Sequence, residues 1–200
     1  MTSVRPSLAQ AFGDTLPPVA VGDPVSDEVL AQLAPGTALR EAIDRIIEQS
    51  CGALVILGHD EGVDSVCSGG FWLGGVAFSP PRLAELSKMD GGIVLDDECR
   101  RIMAANVHFL PNPDLPTEET GSRHRTAERL ALHTGKPVVA VSEARSMATL
   151  FSAGQKAEVA RSSIIEARTS QDMATLERLR HRVDQAIEAL KELGSWESRP

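Results

Sequence analysis

Three short apolar runs do most to limit what this chain can fold into. They lie at residues 53–57, 92–95 and 137–141 and have the sequences ALVIL, GIVL and PVVAV. An unbroken apolar run of four or five residues is short for a helix and fits a strand that is covered on both faces. The sequence therefore predicts a central sheet with other elements packed on each side of it.

Helices are predicted between these strands. Thr37 is a suitable N-cap, apolar residues then recur every three or four positions, and Gly52 ends the helix. A second helix is predicted near Pro81, because proline is tolerated in the first turn of a helix. A third helix covers residues 122–133 and stops before the glycine and proline of residues 135–137.

Two further strands, at residues 102–110 and 147–151, complete the alternation of strands and helices along the chain. Such an order is typical of an α/β fold. We therefore expect helices on both faces of a largely buried sheet.

The chain divides into three parts. Residues 1–32 contain four prolines and little apolar periodicity, which predicts an extended or disordered arm. Residues 33–168 form the α/β domain. Residues 169–200 form a C-terminal helix, over about 170–193, with an apolar stripe and a frayed tail. The stripe can pack either on the domain or on another helix.

Charge and composition exclude several classes of protein. The formal net charge is −8, so the chain lacks the basic surface that a DNA-binding protein needs, although a local arginine cluster can still hold a small anion. The three cysteines form no Cys-x-x-Cys pair, so neither a zinc site nor a disulfide framework is expected. No apolar run approaches the ~20 residues that span a bilayer, and we expect a cytoplasmic protein without membrane contact.

Asp90 is the first candidate for chemistry. It precedes Gly91 and Gly92 at the junction of a predicted helix and a buried strand. A carboxylate there can hold Mg²⁺ or Mn²⁺ or orient a hydroxyl group, and glycines let a ligand approach the backbone. An Asp-Gly pair is also a common turn, and spacing alone favours that interpretation.

The second candidate is a basic segment at the start of a predicted helix. Helix N-termini attract anions, and two arginines with two hydroxyl groups would bind phosphate oxygens. The alternative is a solvated basic turn capped by its serine, but positive charge opposes the helix dipole unless an anion is present. The residues of this segment are Ser122, Arg123, His124, Arg125 and Thr126.

Other polar positions give weaker signals. The HDE sequence at residues 59–61 fits a metal site less well than a surface turn. Ser142 and Glu143 end a predicted strand, where α/β folds often place ligand contacts. Phe71 and Trp72 are most simply packing residues in the core or at an edge.

The chain from about residue 33 to residue 151 resembles the nucleotide-binding domain of the bacterial DNA integrity scanning diadenylate cyclase family. The two signatures of that family are Asp-Gly-Ala and Arg-His-Arg. The first appears here as residues 90–92 with glycine for alanine, and the second is intact at residues 123–125. The resemblance rests on LAPGT, GALVILG, GGF, KMDG and GSRHRTAER, at residues 33–37, 52–58, 69–71, 88–91 and 121–129.

The resemblance implies a diadenylate cyclase domain with a mixed central sheet. Its reaction condenses two ATP molecules, each held by one protomer of a dimer, into cyclic di-AMP with release of pyrophosphate, and it requires Mg²⁺ or Mn²⁺. Asp90 would bind the metal and orient the 3′-hydroxyl group. Gly91 would let the nucleotide approach the backbone closely, and Phe109 (a leucine in the family) would contact the base. The phosphates would be held by Ser122, Arg123, His124, Arg125 and Thr126, and the ribose or phosphates would be contacted by Ser142 and Glu143.

The family also implies regions beyond this domain, namely a helical spine and a helix-hairpin-helix DNA-binding domain. The C-terminal helix is expected to be the start of the spine, and the chain to stop before the DNA-binding domain. We expect self-association as a dimer or a higher oligomer and no DNA binding by this chain alone. The alternative function is a nucleotide-binding regulatory module with weak or no catalysis.

Overall fold

The structure is a computed structural model that describes residues 27–196. Most of the expected N-terminal arm, and the end of the expected frayed tail, lie outside the described residues. The helices are α1 (Asp27–Gln32), α2 (Ala38–Glu48), α3 (Glu61–Ser65), α4 (Pro80–Leu86), α5 (Ser122–Thr134) and α6 (Ser162–Trp196). The strands are β1 (Ala53–Leu57), β2 (Cys67–Ser68), β3 (Phe71–Ala77), β4 (Gly92–Leu95), β5 (Arg101–Phe109), β6 (Val138–Ser142), β7 (Met147–Ser152) and β8 (Gln155–Val159).

The strands form one mixed sheet in the order β2-β5-β4-β1-β6-β7-β8, and β3 also pairs with β5. Strands β1 and β4 run parallel, with Val55 opposite Ile93, and the other pairs are antiparallel. Because β5 returns alongside β4, and β6 alongside β1, the ends of β5 and β6 lie at the edge of the sheet where β1 and β4 begin.

Helices cover both faces of this sheet, as the sequence predicted. On one face, Ile43 of α2 and Leu83 of α4 belong to the same buried cluster as Val55 of β1. On the other face, Leu130 of α5 shares a cluster with Ile56 of β1. Neighbouring residues of β1 therefore point into different halves of the core, which is why its whole sequence is apolar.

The strongly patterned elements agree with their predictions. Strands β1 and β4 have the predicted bounds, and α5 ends at the predicted glycine. The hydroxyl group of Thr37 caps α2 by accepting a hydrogen bond from the backbone N–H of Arg40. Helix α4 has prolines in its first turn. Their missing N–H groups cost nothing there, because the first N–H groups of a helix have no intrahelical acceptor.

Several elements differ from the prediction. Part of the segment expected to be an extended arm forms the short helix α1, and α6 begins at Ser162 rather than near residue 170. Strand β3 was not predicted because glycines interrupt its apolar pattern and a register shift follows Trp72. Strand β8 is an edge strand with polar residues, which local pattern alone does not distinguish from a loop.

Helix α6 carries an exposed apolar stripe. The large side chains of this stripe have between 45% and 68% of their surface exposed, so they do not cover the sheet of their own chain. Within the described part of the chain, no helix combines the length and the apolar character needed to cross a membrane. The stripe consists of Met173, Leu176, Leu179, Val183, Ile187 and Leu190.

Candidate functional site

A cleft of about 420 Å³ opens at the edge of the sheet where β1 and β4 begin and β5 ends. The first turn of α5 forms its opposite wall. The cleft brings together six of the predicted site residues, although the two signature motifs are about thirty residues apart in the chain. These six residues are Asp90, Gly91, Phe109, Ser122, Arg123 and Thr126.

Asp90 lies in the short connection between α4 and β4. Its side chain is exposed at the cleft, and it has no hydrogen-bond or ion-pair partner among the residues that the structure describes. The carboxylate is therefore available to a ligand. No group of three or more His, Cys, Asp or Glu side chains that could hold a metal ion occurs in the described part of the chain, so a metal ion at Asp90 would have at most two such protein ligands.

The glycines after Asp90 are required by packing inside the protein. A Cβ atom at Gly91 would lie 2.5 Å from the Cα and 2.8 Å from the carbonyl oxygen of Asn106, and closer still to its carbonyl carbon. Asn106 has a positive φ of 55° in β5. The backbone of β5 thus fills the space that a Cβ atom at Gly91 would occupy. A glycine is required here for the packing of the strands, in addition to any role in letting a ligand approach.

The first turn of α5 is open to an anion. Gly121 is its N-cap and supplies no side-chain acceptor, and the first turn contains no acidic residue. The first backbone N–H groups of a helix have no intrahelical acceptor and carry the positive end of the helix dipole, and Ser122 and Arg123 of this turn line the cleft. The hydroxyl group of Thr126 donates to the carbonyl of Ser122, which leaves the Thr126 oxygen able to accept.

The two arginines of the signature have different roles in the structure. Arg123 lines the cleft, and its guanidinium has no hydrogen-bond or ion-pair partner among the described residues. Arg125 instead donates to the carbonyl oxygens of Glu119 and Thr120, at 3.4 and 3.3 Å, and does not line the cleft. Arg123 is therefore free to bind a phosphate, whereas Arg125 holds the segment that precedes α5.

His124 points into the protein. Its ring packs edge-on against Phe151, with centroids 6.0 Å apart, and Nε2 lies 3.4 Å from the hydroxyl oxygen of Thr149. Burial lowers the pKa of His124, so the ring is neutral at neutral pH. It adds no positive charge to the cleft and positions the start of α5 against β7.

Ser142 and Glu143 lie outside the cleft that contains Asp90. They line a neighbouring depression with His124 and the first residues of α5. Ser122 and Arg123 border both spaces, so a ligand that extends past Arg123 would reach Glu143. The backbone N–H of Arg145 donates to the Ser142 hydroxyl group, which also gives this residue a structural role in the turn.

Ion pairs connect the loops at the opposite edge of the sheet, where β1 and β4 end. Lys136 contacts Asp97 at 2.7 Å and Asp60 at 3.3 Å, which joins the loops after β1 and β4. Asp60 also caps α3 through the backbone N–H of Val63, and His59 pairs with Asp64. Residues 59–61 therefore belong to a surface turn and a short helix, in agreement with the simpler interpretation of that sequence.

Gly52 is a cleft residue that sequence reasoning did not select. It immediately precedes β1, and a Cβ atom there would lie 2.5 Å from the Cζ and 2.8 Å from the Nη2 of Arg123, with Nη1 nearer still. The guanidinium thus rests directly on the Gly52 backbone. The glycine was interpreted only as the end of α2, because nothing in the local pattern indicates its contact with a residue 71 positions later.

Substituting Gly52→Ala is expected to displace Arg123 and weaken the binding of a polyphosphate anion by roughly tenfold, the cost of about one charge-assisted hydrogen bond. The unfolding free energy should change by less than about 1 kcal/mol, since the obstructed group is the end of a flexible side chain. Calorimetric titration with inorganic tripolyphosphate measures the effect. In an Arg123→Ala background the same substitution should have no further effect, and an undiminished loss there would disprove the contact.

The family model "DisA bacterial checkpoint controller nucleotide-binding" matches residues 40–156. DNA integrity scanning protein DisA of Parafrankia sp. is 46% identical over 172 residues, which are 86% of this chain and 48% of the relative. DisA of Corynebacterium glutamicum strain R is 49% identical over 156 residues, 78% and 42% of the two chains. The chain spans about half the length of these curated relatives.

Two solved structures share the fold. A hypothetical membrane spanning protein from Bacillus cereus aligns with a TM-score of 0.55 at 21% identity, over 66% of this chain and 69% of that one. A double mutant of DacA from Staphylococcus aureus aligns with a TM-score of 0.52 at 18% identity, over 67% and 91%. At these identities the similarity concerns the arrangement of the sheet and helices alone.

Proposed function

The chain belongs to the DisA bacterial checkpoint controller nucleotide-binding family, and from this premise we propose that it condenses two ATP molecules into cyclic di-AMP. The observation that carries the proposal is one cleft lined by the Asp90 carboxylate, the first turn of α5 and the Arg123 guanidinium, where neither charged group has a partner among residues 27–196. A carboxylate opposite an anion-binding helix end suits a nucleotide whose hydroxyl and phosphates both take part in the reaction.

The cleft has suitable size and chemistry for one nucleotide. Its volume of about 420 Å³ falls within the usual range for small-molecule sites. Leu54 and Phe109 give an apolar wall for the base, and Ser122, Arg123 and Thr126 give polar groups for the phosphates. The nucleotide would lie with its base towards β5 and its phosphates at the start of α5.

The proposed reaction consists of two identical displacements. The 3′-hydroxyl oxygen of one ATP attacks the α-phosphorus of the other, and the bond from that phosphorus to the oxygen bridging to the β-phosphate breaks. Pyrophosphate leaves, and the hydroxyl proton passes to Asp90 or to water. The same displacement in the opposite sense closes the ring. The protein contributes mainly by positioning the two nucleotides and neutralising charge.

Mg²⁺ or Mn²⁺ is proposed as the cofactor. The donor set fits this ion, because Mg²⁺ is commonly held by one or two carboxylates together with substrate phosphates, and Asp90 supplies one exposed carboxylate at the cleft. When bound, the ion would neutralise phosphate charge. Asp90 would hold it beside the phosphates that Arg123 and the first turn of α5 bind.

Incubation with ATP and Mn²⁺, followed by chromatographic detection of cyclic di-AMP, tests the proposal. Formation of cyclic di-AMP together with two molecules of pyrophosphate for each dinucleotide would support it. Binding of ATP without product would instead favour the regulatory nucleotide-binding module. Of the two, catalysis is favoured by the exposed Asp90 carboxylate at the cleft, which can both hold a metal ion and orient the attacking hydroxyl group.

Activity is expected to depend on self-association and to fall steeply on dilution. One chain contributes one Asp90 and one Arg123 to one cleft. Two nucleotides that face each other therefore require two chains, most simply related by a two-fold axis. Specific activity across a dilution series, measured beside light scattering, tests this. Constant specific activity in a sample shown to be monomeric would contradict the two-chain mechanism.

A further inference from the structure

Gly92 and Phe109 are in close contact at the base of the cleft. Gly92 is fully enclosed at the start of β4, and a Cβ atom there would lie 2.6 Å from Cδ2 and 2.9 Å from Cζ of the Phe109 ring, with Cε2 nearer still. Real Cβ atoms do not approach carbon atoms this closely. The ring therefore occupies the space that any larger residue at position 92 would need.

The Phe109 ring is fixed in this place. Phe109 is 9% exposed and belongs to the buried cluster beneath α5, together with Val94 of the neighbouring strand β4 and Val107 of its own strand. Its backbone pairs with Cys67 of β2. An aromatic side chain buried in this way can move aside for a methyl group only by disturbing its neighbours or by entering the cleft.

Both residues also face the ligand space. Gly92 and Phe109 both line the cleft, and Phe109 contributes, with Leu54, to its apolar lining. The exposed part of the ring therefore forms wall surface that a planar, apolar group can contact, and its position depends on what occupies residue 92.

We infer that Gly92 and Phe109 act as one steric unit that shapes the base-binding end of the cleft, so that neither residue can be changed alone without altering nucleoside binding. The inference rests on the proposed nucleotide function for its ligand, a purine nucleoside. Its steric part depends only on the contact between the two residues. In this unit Gly92 is a positioning residue and Phe109 is the contact to the base.

Five variants test the unit: Gly92→Ala, Phe109→Leu, their combination, Gly91→Ala, and Gly91→Ala combined with Phe109→Leu. Gly92→Ala should lower the unfolding midpoint by roughly 3–10 °C, the range expected for an overpacked core. In the Phe109→Leu background the same substitution should cost little, because the obstructing ring atoms are gone. Additive losses in the combined variant would overturn the steric unit.

Gly91→Ala provides the matched control. Its Cβ would meet the backbone of Asn106 and not the ring, so the Phe109→Leu change should not relieve its effect on the unfolding midpoint. Relief of both glycine variants by Phe109→Leu would mean a general loosening of the strands and would contradict the specific contact.

Binding measurements test the ligand part. Phe109→Leu should weaken adenosine binding by roughly tenfold, as expected when one aromatic contact to a base is lost, and should leave the affinity for inorganic tripolyphosphate unchanged. Equal losses for both ligands would overturn the assignment of this end of the cleft to the base. If the wild-type chain bound ATP and adenosine but made no cyclic di-AMP, only the proposed catalysis would fail. Failure to bind adenosine would overturn the ligand part.

Discussion

Replacing Asp90 with asparagine is expected to abolish cyclic di-AMP synthesis while leaving most of the ATP affinity. Asparagine keeps the size of the side chain but removes the negative charge that would hold a metal ion and orient the attacking hydroxyl group. Loss of a metal ligand removes several kcal/mol of transition-state stabilisation, so the rate should fall by at least roughly 100-fold. The phosphate-binding groups on α5 are unaffected by the substitution, which is why binding should persist.

The measurement combines initial rates of product formation with calorimetric titration of ATP. Asp114→Asn is the matched control, since Asp114 is an exposed carboxylate in the loop before α5 and does not line the cleft. Turnover at the wild-type rate in Asp90→Asn would remove Asp90 from the mechanism. Loss of ATP binding together with turnover would make Asp90 a residue of the binding site instead.

Replacing both Arg123 and Arg125 with alanine is expected to weaken ATP binding far more than adenosine binding. A charge-assisted hydrogen bond contributes about 1.5–3 kcal/mol, or roughly a factor of 10 to 100 in affinity. The two arginines are expected to contribute unequally to this loss of ATP affinity. Arg123→Ala alone should account for most of the lost ATP affinity, because Arg123 lines the cleft and Arg125 is bonded to the backbone before α5.

Arg125→Ala should chiefly loosen the segment that precedes α5, with a smaller loss of ATP affinity. Hydrogen exchange over residues 116–121 would report that loosening. Arg100→Ala is a suitable control, since Arg100 is an exposed arginine that pairs with Glu98 away from the cleft. Equal losses of ATP and adenosine affinity in the double variant would mean that the two arginines support the fold and not the phosphates.

The elements with strong local patterns could be predicted from the sequence. Strands β1 and β4 are unbroken apolar runs, and α2 has both its cap and its apolar stripe within a dozen residues. Strands β3 and β8 could not be predicted in this way. Their residues are glycine-rich or polar, and they become strands because β5 and β7 offer them a hydrogen-bonding edge.

The signature residues could be selected from the sequence, but their individual directions could not. Successive residues of a helix point about 100° apart. Arg123 and Thr126, three positions apart, both face the cleft, whereas His124 faces the core and Arg125 faces the preceding loop. The rotation of α5 on the sheet decides this, and that rotation is set by packing against strands distant in the chain.

By itself the sequence determined the family, the main strands and helices, and the two motifs that carry the proposed chemistry, because each depends on neighbouring residues. Tertiary structure alone decided that these motifs share one cleft, that Gly52 supports Arg123, and that Gly92 accommodates Phe109. Gly92 and Phe109 were two separate departures from the family pattern in the sequence. They became one contact because β5 folds back antiparallel to β4, and only long-range strand pairing brings residues so distant in the chain together.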